Sequence, residues 1–522
     1  MTSTFHSIEV GKRGVVAQQT ALNTTGHNVT NASTVGYSRQ VVKLEAARPL
    51  SFPGFQNTTE ARQLGMGVEA TSITRVRDLL LDIEYRNQNT ELATWNVKQE
   101  TLSNIEGIVN EPSKDSIANS ISEFWNSWQQ LSKSPSTTDL SARTVVQQKA
   151  IALTETFNHI ASQLDTLSSN LTERINTKTN EANNMITQIA DLTQMISRVE
   201  GLGDNANDLR DKRDLLVDEL SVIGNIQVSE TNDTYQLTFG NTLVVNGMTS
   251  TQITPADAAN LTTGQIAGYI QSRDVHVKEY MNQLDIMANT LATGKVEVTI
   301  PAGTVLSAGV TIPGAVVDAN GKVAADVKYI VAGLNGLHKL GYTLGDPATN
   351  GKDFFVTSDS TAVITATNIR VNNDIIDDLK NIAASVRAEK VTNADGTTSN
   401  KVVQGNGDMA LLIAGLAERD FNFNPTGANG AITTDGTING YLQAVIAQLG
   451  TDADHANKMV SNGSLLVEHA DSLRQSISSV SLDEEMADLI KFQHAYSASA
   501  RIITTMDEML DKLINGTGVV GR

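Results

Sequence analysis

Side chains that could catalyse a reaction or bind a metal lie scattered along this sequence of 522 residues. No two of its eight histidines lie within five residues of each other, so the chain has no His-x-x-x-His pair of the kind that binds zinc from one helix face. It has no Gly-x-Ser-x-Gly nucleophile turn and no P-loop, and Gly405-Asn406-Gly407 lacks the third glycine of a dinucleotide-binding fingerprint. The sequence therefore predicts a protein without catalytic residues, cofactor or metal ion.

The overall composition limits the kinds of molecule that the protein could bind and the route by which it could be exported. The net charge is −19 at pH 7 and the pI is about 4.8, which argues against nucleic acid and anionic membrane surfaces. No apolar run approaches the length of about 18 residues that spans a bilayer, and the first residues lack the apolar core of a cleavable secretory signal. There are no cysteines, which excludes disulfides. If the protein is exported, we expect a route that does not use such a signal.

The residues near the C-terminus predict a long helix with a narrow apolar stripe. From Phe492 onward the inward positions alternate in steps of four and three, which is the spacing of a coiled-coil seam. These positions are Phe492, Tyr496, Ser499, Ile503, Met506, Leu510 and Leu513, and we expect Leu482, Met486 and Leu489 to begin the same face, one short step out of phase. Ser481 suits the N-cap, and Glu484 would complete a capping box.

Residues 3–32 predict a second helix at the other end of the chain. Its apolar residues recur every seven positions, at Ile8, Val15, Leu22 and Val29. Gly11, Gly14 and Gly26 weaken an isolated helix but allow a neighbouring backbone to approach closely. We therefore expect the terminal helices to pair. Two arrangements remain open, burial of both stripes by neighbouring subunits in an assembly and an ordinary helical hairpin within one chain.

Between the two ends the periodicity changes from helical to strand-like and back. Helices are predicted over 78–110, 117–131, 140–196 and 207–220, and we interpret the charge run of the last as a solvated face. Strands follow from 226, a helix spans 266–292, and helix returns over 327–337 after a Val-, Gly- and Pro-rich insertion. The expected fold is mainly α with β-rich inserted domains. In it the terminal helices pair as a coiled-coil-like rod, a bundle of long helices lies next, and the β domain projects outward.

This pattern divides the chain into consecutive segments. The predicted segments are 1–35 (N-terminal assembly helix), 36–223 (loop, strand and long-helix bundle), 224–262 (β-rich part), 263–292 (helix returning to the bundle), 293–326 (β insertion), 327–437 (mixed α/β outer region), 438–480 (bundle helix) and 481–522 (C-terminal assembly helix).

A polar segment follows the first helix and contains Asn28, Asn31, Gly36, Tyr37 and Arg39. The asparagines suit the end of a helix, and Gly36 suits a position with positive φ. Composition alone therefore predicts a helix stop followed by a turn.

The stretch from Ala21 to Ala32, together with Gly36-Tyr37-Ser38-Arg39, resembles the N-terminal signature of bacterial flagellar axial proteins, that is, rod, hook and hook-associated proteins. Leu482-Asp-Glu-Glu-Met486 and the segment 492–501 resemble the other end of these proteins. Within the group, both motifs are most similar to those of the hook-associated protein 1 family. Similarities at 207–221 and 337–342 extend the resemblance over almost the whole chain, whereas the insertion near 294–325 departs from the family pattern.

The resemblance implies a secreted structural protein of the extracellular flagellum, without enzymatic activity. A helical ring of about eleven copies would join hook to filament, with the terminal helices as the inner layer of a hollow tube. The implied partners are other copies of the chain, the hook protein, the second junction protein and an export chaperone that holds the C-terminal segment before type III export. No nucleic acid and no membrane are expected as partners. The predicted assembly interface is formed by the stripe residues of the two terminal helices, and the predicted signature turn by Asn28, Asn31, Gly36, Tyr37 and Arg39.

Two other interpretations stay open at this point. The chain could be another axial component, a hook or distal rod protein, although such proteins generally lack the long helix over 160–196 and the match at 207–221. It could also be a secreted adhesin whose β-rich middle binds a host ligand.

Overall fold

The computed structural model describes residues 5–48, 65–109, 116–231, 234–306, 310–319, 321–359, 363–392, 398–424, 427 and 430–516. The chain divides into two compact units. The first unit comprises Met1–Trp95, Asn176–Gly268 and Met459–Arg522, and the second comprises Asn96–Ile175 and Tyr269–Lys458.

Helices account for most of the described chain, so the prediction of a mainly α protein is confirmed. Their bounds are α1 His6–Asn31, α2 Leu79–Val109, α3 Ile117–Lys133, α4 Ser141–Glu200, α5 Asn207–Ile223, α6 Pro255–Ala258, α7 Gln265–Gln271, α8 Lys278–Thr293, α9 Gly333–His338, α10 Asn373–Asp377, α11 Asp408–Ala414, α12 Ile438–Ser478 and α13 Leu482–Gly516. A π-helical turn, Ser272–Val277, joins α7 to α8.

The strands are short and form small antiparallel sheets. Their bounds are β1 Gln40–Ala46, β2 Val68–Arg75, β3 Ile226–Thr231, β4 Thr234–Phe239, β5 Thr242–Asn246, β6 Thr249–Ser250, β7 Lys295–Ile300, β8 Val327–Ala332, β9 Phe355–Thr357, β10 Ile369–Val371, β11 Ala388–Thr392, β12 Thr398–Val402, β13 Phe421–Asn422 and β14 Asp435–Gly436.

One predicted helix, over 327–337, is wrong. Val327–Ala332 forms strand β8, which pairs antiparallel with β7, and only Gly333–His338 is helical. The backbone switches at Gly333, where φ is 56° and a Cβ would lie 2.7 Å from the backbone of Ala292. Only glycine fits this position without strain. The partner strand, β7, lies at the start of the insertion and is far from β8 in sequence, so periodicity within 327–337 alone could not reveal the pairing.

The first unit holds the paired terminal helices and two sheets. Strands β1 and β2 form a hairpin-like pair with a register shift between Lys43 and Leu44, and β3–β6 form an antiparallel sheet in sequence order. Helix α1 packs against α13 and against the β1–β2 pair. These contacts place the polar turn after α1 beside the start of α13, as described in the next section.

The second unit is organised around an aromatic core. Phe124 and Trp128 of α3 contact Phe354 and Phe355, with ring centroids 5.4 to 6.1 Å apart. Its larger sheet has the order β14-β13-β7-β8. The imidazole of His338 is fully buried: its Nδ1 lies 2.6 Å from the carbonyl oxygen of Lys352, and its Nε2 accepts a hydrogen bond from the amide of Ala383. None of the described helices is both long and apolar enough to cross a lipid bilayer.

Candidate assembly surface and the turn that positions it

Small residues, rather than the predicted apolar ones, form the buried face of α1. The buried positions are Gly11, Gly14, Ala17, Ala21, Thr24, Thr25 and Asn28. The predicted stripe of Ile8, Val15, Leu22 and Val29 is half-buried beside them. A chain of small side chains lets two helix backbones come close together, and this explains why the glycines are useful here despite their low helix propensity.

Two of the three predicted close-approach glycines meet α13 directly. A Cβ on Gly11 would lie 2.7 Å from Cγ1 of Ile503, and a Cβ on Gly14 would lie 2.7 Å from Oγ of Ser499. Both distances are shorter than ordinary Cβ contacts, so a larger residue at either glycine requires the contacting side chain of α13 to move. Gly26 has no such neighbour, and for it the expectation of close approach is wrong.

The predicted stripe of α13 holds from Phe492 to Leu510. Phe492, Tyr496, Ser499, Ile503, Met506 and Leu510 are all half-buried, while Leu513 is 54% exposed. The stepping by four and three therefore describes the side of α13 that faces inward. Whether these residues form an interface between subunits stays a prediction.

The expectation for the start of α13 is wrong. Leu482, Met486 and Leu489 are exposed, and the one buried residue of α13 is Glu485. Glu485 lies seven residues before Phe492, so it continues the seam without a break. The sequence pattern failed here because a charged residue was not considered for an inward position, and the neighbouring apolar residues were placed there instead.

Seven of the eight exposed large apolar residues of α13 form two groups on opposite sides of this seam, and the eighth, Ile514, lies close to the line of the seam at the end of the helix. At about 100° per residue, the leading patch (Leu482, Met486, Leu489 and Ile490) lies roughly 40–140° to one side of the seam, near the start of the helix. The trailing patch (Ile502, Met509 and Leu513) lies roughly 80–120° to the other side, near its end. All seven side chains are between 37% and 60% exposed.

Asn28 connects three parts of the first unit. Its Nδ2 donates to the carbonyl oxygen of Gln40 at 2.9 Å and to Oε2 of Glu485 at 3.0 Å. Its Oδ1 accepts from the hydroxyl of Tyr37 at 2.8 Å and from the amide of Gln40 at 3.0 Å. Asn28 is 1% exposed, so these bonds satisfy a side chain that is shielded from water. The end of α1, the start of β1 and the start of α13 are thereby joined.

Arg39 binds the start of α13 from the other side of the turn. Its Nε donates to Oε1 of Glu485 at 2.7 Å, and its Nη1 donates to Oε2 of Glu484 at 2.9 Å. Its backbone amide donates to the carbonyl oxygen of Ser478 at the end of α12. The turn after α1 therefore contacts both helices that meet at 479–481.

The other residues of the predicted turn have local roles. Gly36 has φ 79°, and a Cβ there would lie 3.2 Å from Cβ of Leu215. Asn31 donates to the carbonyl oxygen of His27 within α1. Burial, followed by the nearby Asp208, Asp211 and Glu485, raises the pKa of Tyr37 above its usual 10.0, so the phenol remains a donor. The structure thus brings Asn28, Tyr37 and Arg39 together in one network, with Gly36 shaping the loop.

The charges of α5 are not a solvated face, contrary to the sequence interpretation. Asp211, Arg213 and Asp218 are buried. Arg75 donates to Asp211 at 2.7 Å, and both Arg86 and Arg474 bind Asp218 at 2.6 Å. The amide of Ser38 donates to Asp211, which connects this ion-pair cluster to the turn.

The opposite charges around them favour the charged forms of Arg77 and Asp214. Burial opposes the charges of Arg77 and Asp214, but Asp214, Asp82 and Asp218 raise the pKa of Arg77, and the surrounding arginines lower the pKa of Asp214 below 3.8. Sequence reasoning missed this cluster and Glu485. The sequence did contain a signal for the cluster. Residues 75–86 include three arginines and residues 211–218 include three aspartates, so two segments far apart in sequence carry matching numbers of opposite charges.

Among the described residues no group of three or more His, Cys, Asp or Glu side chains could hold a metal ion. In this arrangement the turn after α1 holds the two terminal helices together, and two apolar patches of α13 remain exposed to solvent.

Comparisons with known proteins agree with this architecture. A family model described as the flagellar hook-associated protein FlgK helical domain matches residues 102–298, and one described as the flagellar basal body rod FlgEFG protein C-terminal matches residues 474–516. The chain is 34% identical to flagellar hook-associated protein 1 of Bacillus subtilis, with 100% of both chains covered. It is 26% identical to flagellar hook-associated protein 1 of Salmonella typhimurium, with 96% of this chain and 98% of the relative covered.

A solved structure shows a shared fold. The flagellar hook junction protein FlgK from Burkholderia pseudomallei matches with a TM-score of 0.50 at 14% identity, covering 76% of this chain and 100% of that one. The chain is therefore a structural component of the bacterial flagellum. It belongs to the flagellar hook-associated protein 1 family.

Proposed function

We propose that this protein forms the junction between the flagellar hook and the filament by helical self-assembly through its terminal helices. The observation that carries the proposal is the pair of exposed apolar patches on α13, a helix whose remaining inward side is already covered by α1. Each large apolar side chain that becomes buried contributes about 1.5–3 kcal/mol, so seven of them are a substantial driving force for association.

The placement of the patches favours contacts of the head-to-tail kind. They lie on opposite sides and at opposite ends of α13, so one copy can present its leading patch to the trailing patch of the next. Such heterologous contacts generate rings or helical assemblies, whereas a two-fold dimer uses the same patch on both copies. A ring of about eleven copies would be the closed form in a hollow tube.

The proposed partners follow from the same location. The hook protein would contact one end of the ring and the second junction protein the other. The match of residues 474–516 to a rod-type C-terminal family supports a surface shared with rod and hook proteins. We further propose type III export to the extracellular flagellum, with an export chaperone that covers the C-terminal segment and its exposed Leu482, Met486 and Leu489 beforehand.

Deletion of the gene, examined by electron microscopy and a blot of the medium for flagellin, tests the junction role. We expect bare hooks and free flagellin in the medium. Absent hooks would instead assign the chain to the rod or hook. Normal filaments would overturn the junction role and bring forward the interpretation as an adhesin.

Complementation of the deletion then tests the surface. Met486→Glu places a charge in the leading patch and should leave the hooks bare, because a carboxylate cannot be buried without a partner. Thr504→Glu adds the same charge at an exposed position on the side of α13 opposite the trailing patch and fourteen residues beyond Ile490, the last residue of the leading patch, and should restore filaments. Filaments with both variants would show that the leading patch is not an assembly contact.

A further inference from the structure

The one buried residue of α13 is a glutamate at a seam position, where an apolar side chain would pack more easily. Glu485 is 2% exposed, and its carboxylate accepts from Nδ2 of Asn28 and Nε of Arg39. We propose that Glu485 is the positioning residue that fixes the register of α13 against α1, and with it the direction in which the two apolar patches face. The link to the patches rests on the proposed function.

Apolar packing alone selects the register of these helices poorly. The face of α1 that meets α13 repeats small residues at helical spacing, at Gly11, Gly14, Ala17, Ala21 and Thr24. A shift of α13 by one turn would present a similar set of small residues to its seam. At the other helix, the same shift replaces Ser499 by Ile503 and Glu485 by Leu489, both of which could pack against such a surface. It also places Asp507 at the position of Ile503, which is only half-buried, so that carboxylate can reach water.

The carboxylate of Glu485 distinguishes the two registers. A shift by four residues moves it about 6 Å along the helix, out of reach of both donors. Asn28 cannot follow, because its Oδ1 is held by the Tyr37 hydroxyl and the Gln40 amide. Arg39 is held as well, through its backbone bond to Ser478. A slipped helix would therefore leave a buried charge without partners, which is a large penalty.

A polar group in an apolar seam is known to specify register in coiled coils at some cost in stability. The arrangement at Glu485 has the same elements. One charged side chain lies in a seam of otherwise apolar or small residues, and the donors that bind it lie at only one position along the helix axis. This distinguishes its role from that of Glu484, which also binds Arg39 but whose side chain is 64% exposed.

The absence of cysteine makes the register directly measurable by disulfide cross-linking of the full-length chain. Gly14→Cys with Ser499→Cys reports the native register, since a Cβ at position 14 lies 3.2 Å from Cβ of Ser499 and a movement of a few tenths of an ångström reaches the disulfide range of about 3.5–4.5 Å. Gly14→Cys with Ile503→Cys reports the slip by one turn. Each pair is placed in the parent chain, in Glu485→Leu and in the matched control Glu484→Leu.

We expect the parent chain and the Glu484→Leu control to cross-link almost entirely through the native pair. In Glu485→Leu the ratio of native to slipped cross-link should fall on the order of tenfold or more, while circular dichroism shows that the helices persist. An unchanged ratio would overturn the proposal. Loss of both cross-links together with loss of helix would also overturn it, because Glu485 would then be needed for stability and not for register.

The cross-linking result does not depend on assembly, so the two proposals can fail separately. Bare hooks with Glu485→Leu but a native register would refute the positioning role and leave the junction role intact. Normal filaments in the gene deletion would refute the junction role and leave the register result standing.

Discussion

The interiors of the two units are stabilised by different chemistry. The first unit encloses ion pairs between arginines and aspartates: the buried Arg86 and the half-buried Arg75 and Arg474 pair with the buried Asp211 and Asp218. The second unit buries aromatic rings, with Trp128 and Phe354 at its centre. Aromatic residues make up only 4% of the chain, so their concentration in one core is a marked asymmetry.

The difference in interior chemistry determines how strictly each unit fixes the positions of its own elements. An aromatic core gains most of its free energy from the apolar area that it buries, and this contribution is non-directional. Ion pairs and hydrogen bonds add geometric requirements, since a charge that loses its partner in the interior is strongly penalised. The unit that carries the terminal helices therefore has the interior that best enforces one arrangement.

The largest expected effect comes from opening the aromatic core. Trp128→Ala should lower the free energy of unfolding of the second unit by about 3–5 kcal/mol, because it removes a fully buried ring and leaves a cavity. Hydrogen exchange of the second unit measures this. Leu411→Ala, at a position 56% exposed, is the matched control and should change the free energy little. Equal effects would show that the aromatic cluster is not the centre of the core.

Removal of one aspartate should affect the first unit by a slightly smaller amount. Asp218→Ala leaves Arg86 and Arg474 without their shared partner, and we expect a loss of about 3 kcal/mol in hydrogen-exchange protection of the first unit. The neighbouring Glu219 is exposed, and Glu219→Ala serves as the control. An effect of Asp218→Ala no greater than the control would mean that the cluster is solvated after all.

Much of the fold was predictable from periodicity. The long helices have clear repeats, and the bounds of α1, α2, α3 and α5 lie within a few residues of the prediction. Strand β8 was not predictable, because its identity depends on pairing with β7 across the insertion. Long-range pairing overrides local preference, and a single sequence does not reveal it.

The site was predictable where residue type and position agree, and not where they conflict. The stripe from Phe492 to Leu510 was correctly placed because apolar residues occupy inward positions. Glu485 and Asp218 were missed because a charge was assumed to face water. Each carboxylate can be buried because an arginine from a distant part of the chain donates to it: Arg39 donates to Glu485, and Arg474 donates to Asp218.

Acid should affect the second unit before the first. Burial is the main cause that lowers the pKa of His338 from 6.5 to about 4. Between pH 6.5 and 4 the imidazole binds a proton in the unfolded chain but not in the folded chain. The folded state therefore has its full stability above pH 6.5 and loses stability as the pH falls towards 4. The full loss is about 3 kcal/mol. Asp214, whose pKa is lowered, loses its contribution only as the pH falls below 3.8.

Hydrogen exchange of both units between pH 7 and 4 measures this order. In His338→Gln the slope of stability with pH should flatten for the second unit only. His159 is exposed in the same unit, and His159→Gln should leave the slope as it is. A second unit whose stability does not change between pH 6.5 and 4 would contradict the assignment of a neutral, buried imidazole.

The smallest expected effect concerns one hydroxyl of the turn. Tyr37→Phe removes the 2.8 Å bond to Oδ1 of Asn28 and the 3.0 Å hydrogen bond between the hydroxyl and Nδ1 of His27, but it keeps the ring, which packs edge-on against His27. The Gln40 amide still satisfies Oδ1, and water can reach the half-exposed imidazole of His27, so the loss should be only about 1–2 kcal/mol, as for two neutral hydrogen bonds. Local hydrogen exchange at residues 28–40 measures it. A loss as large as that of Asp218→Ala would mean that the turn stabilises the unit in addition to positioning α13.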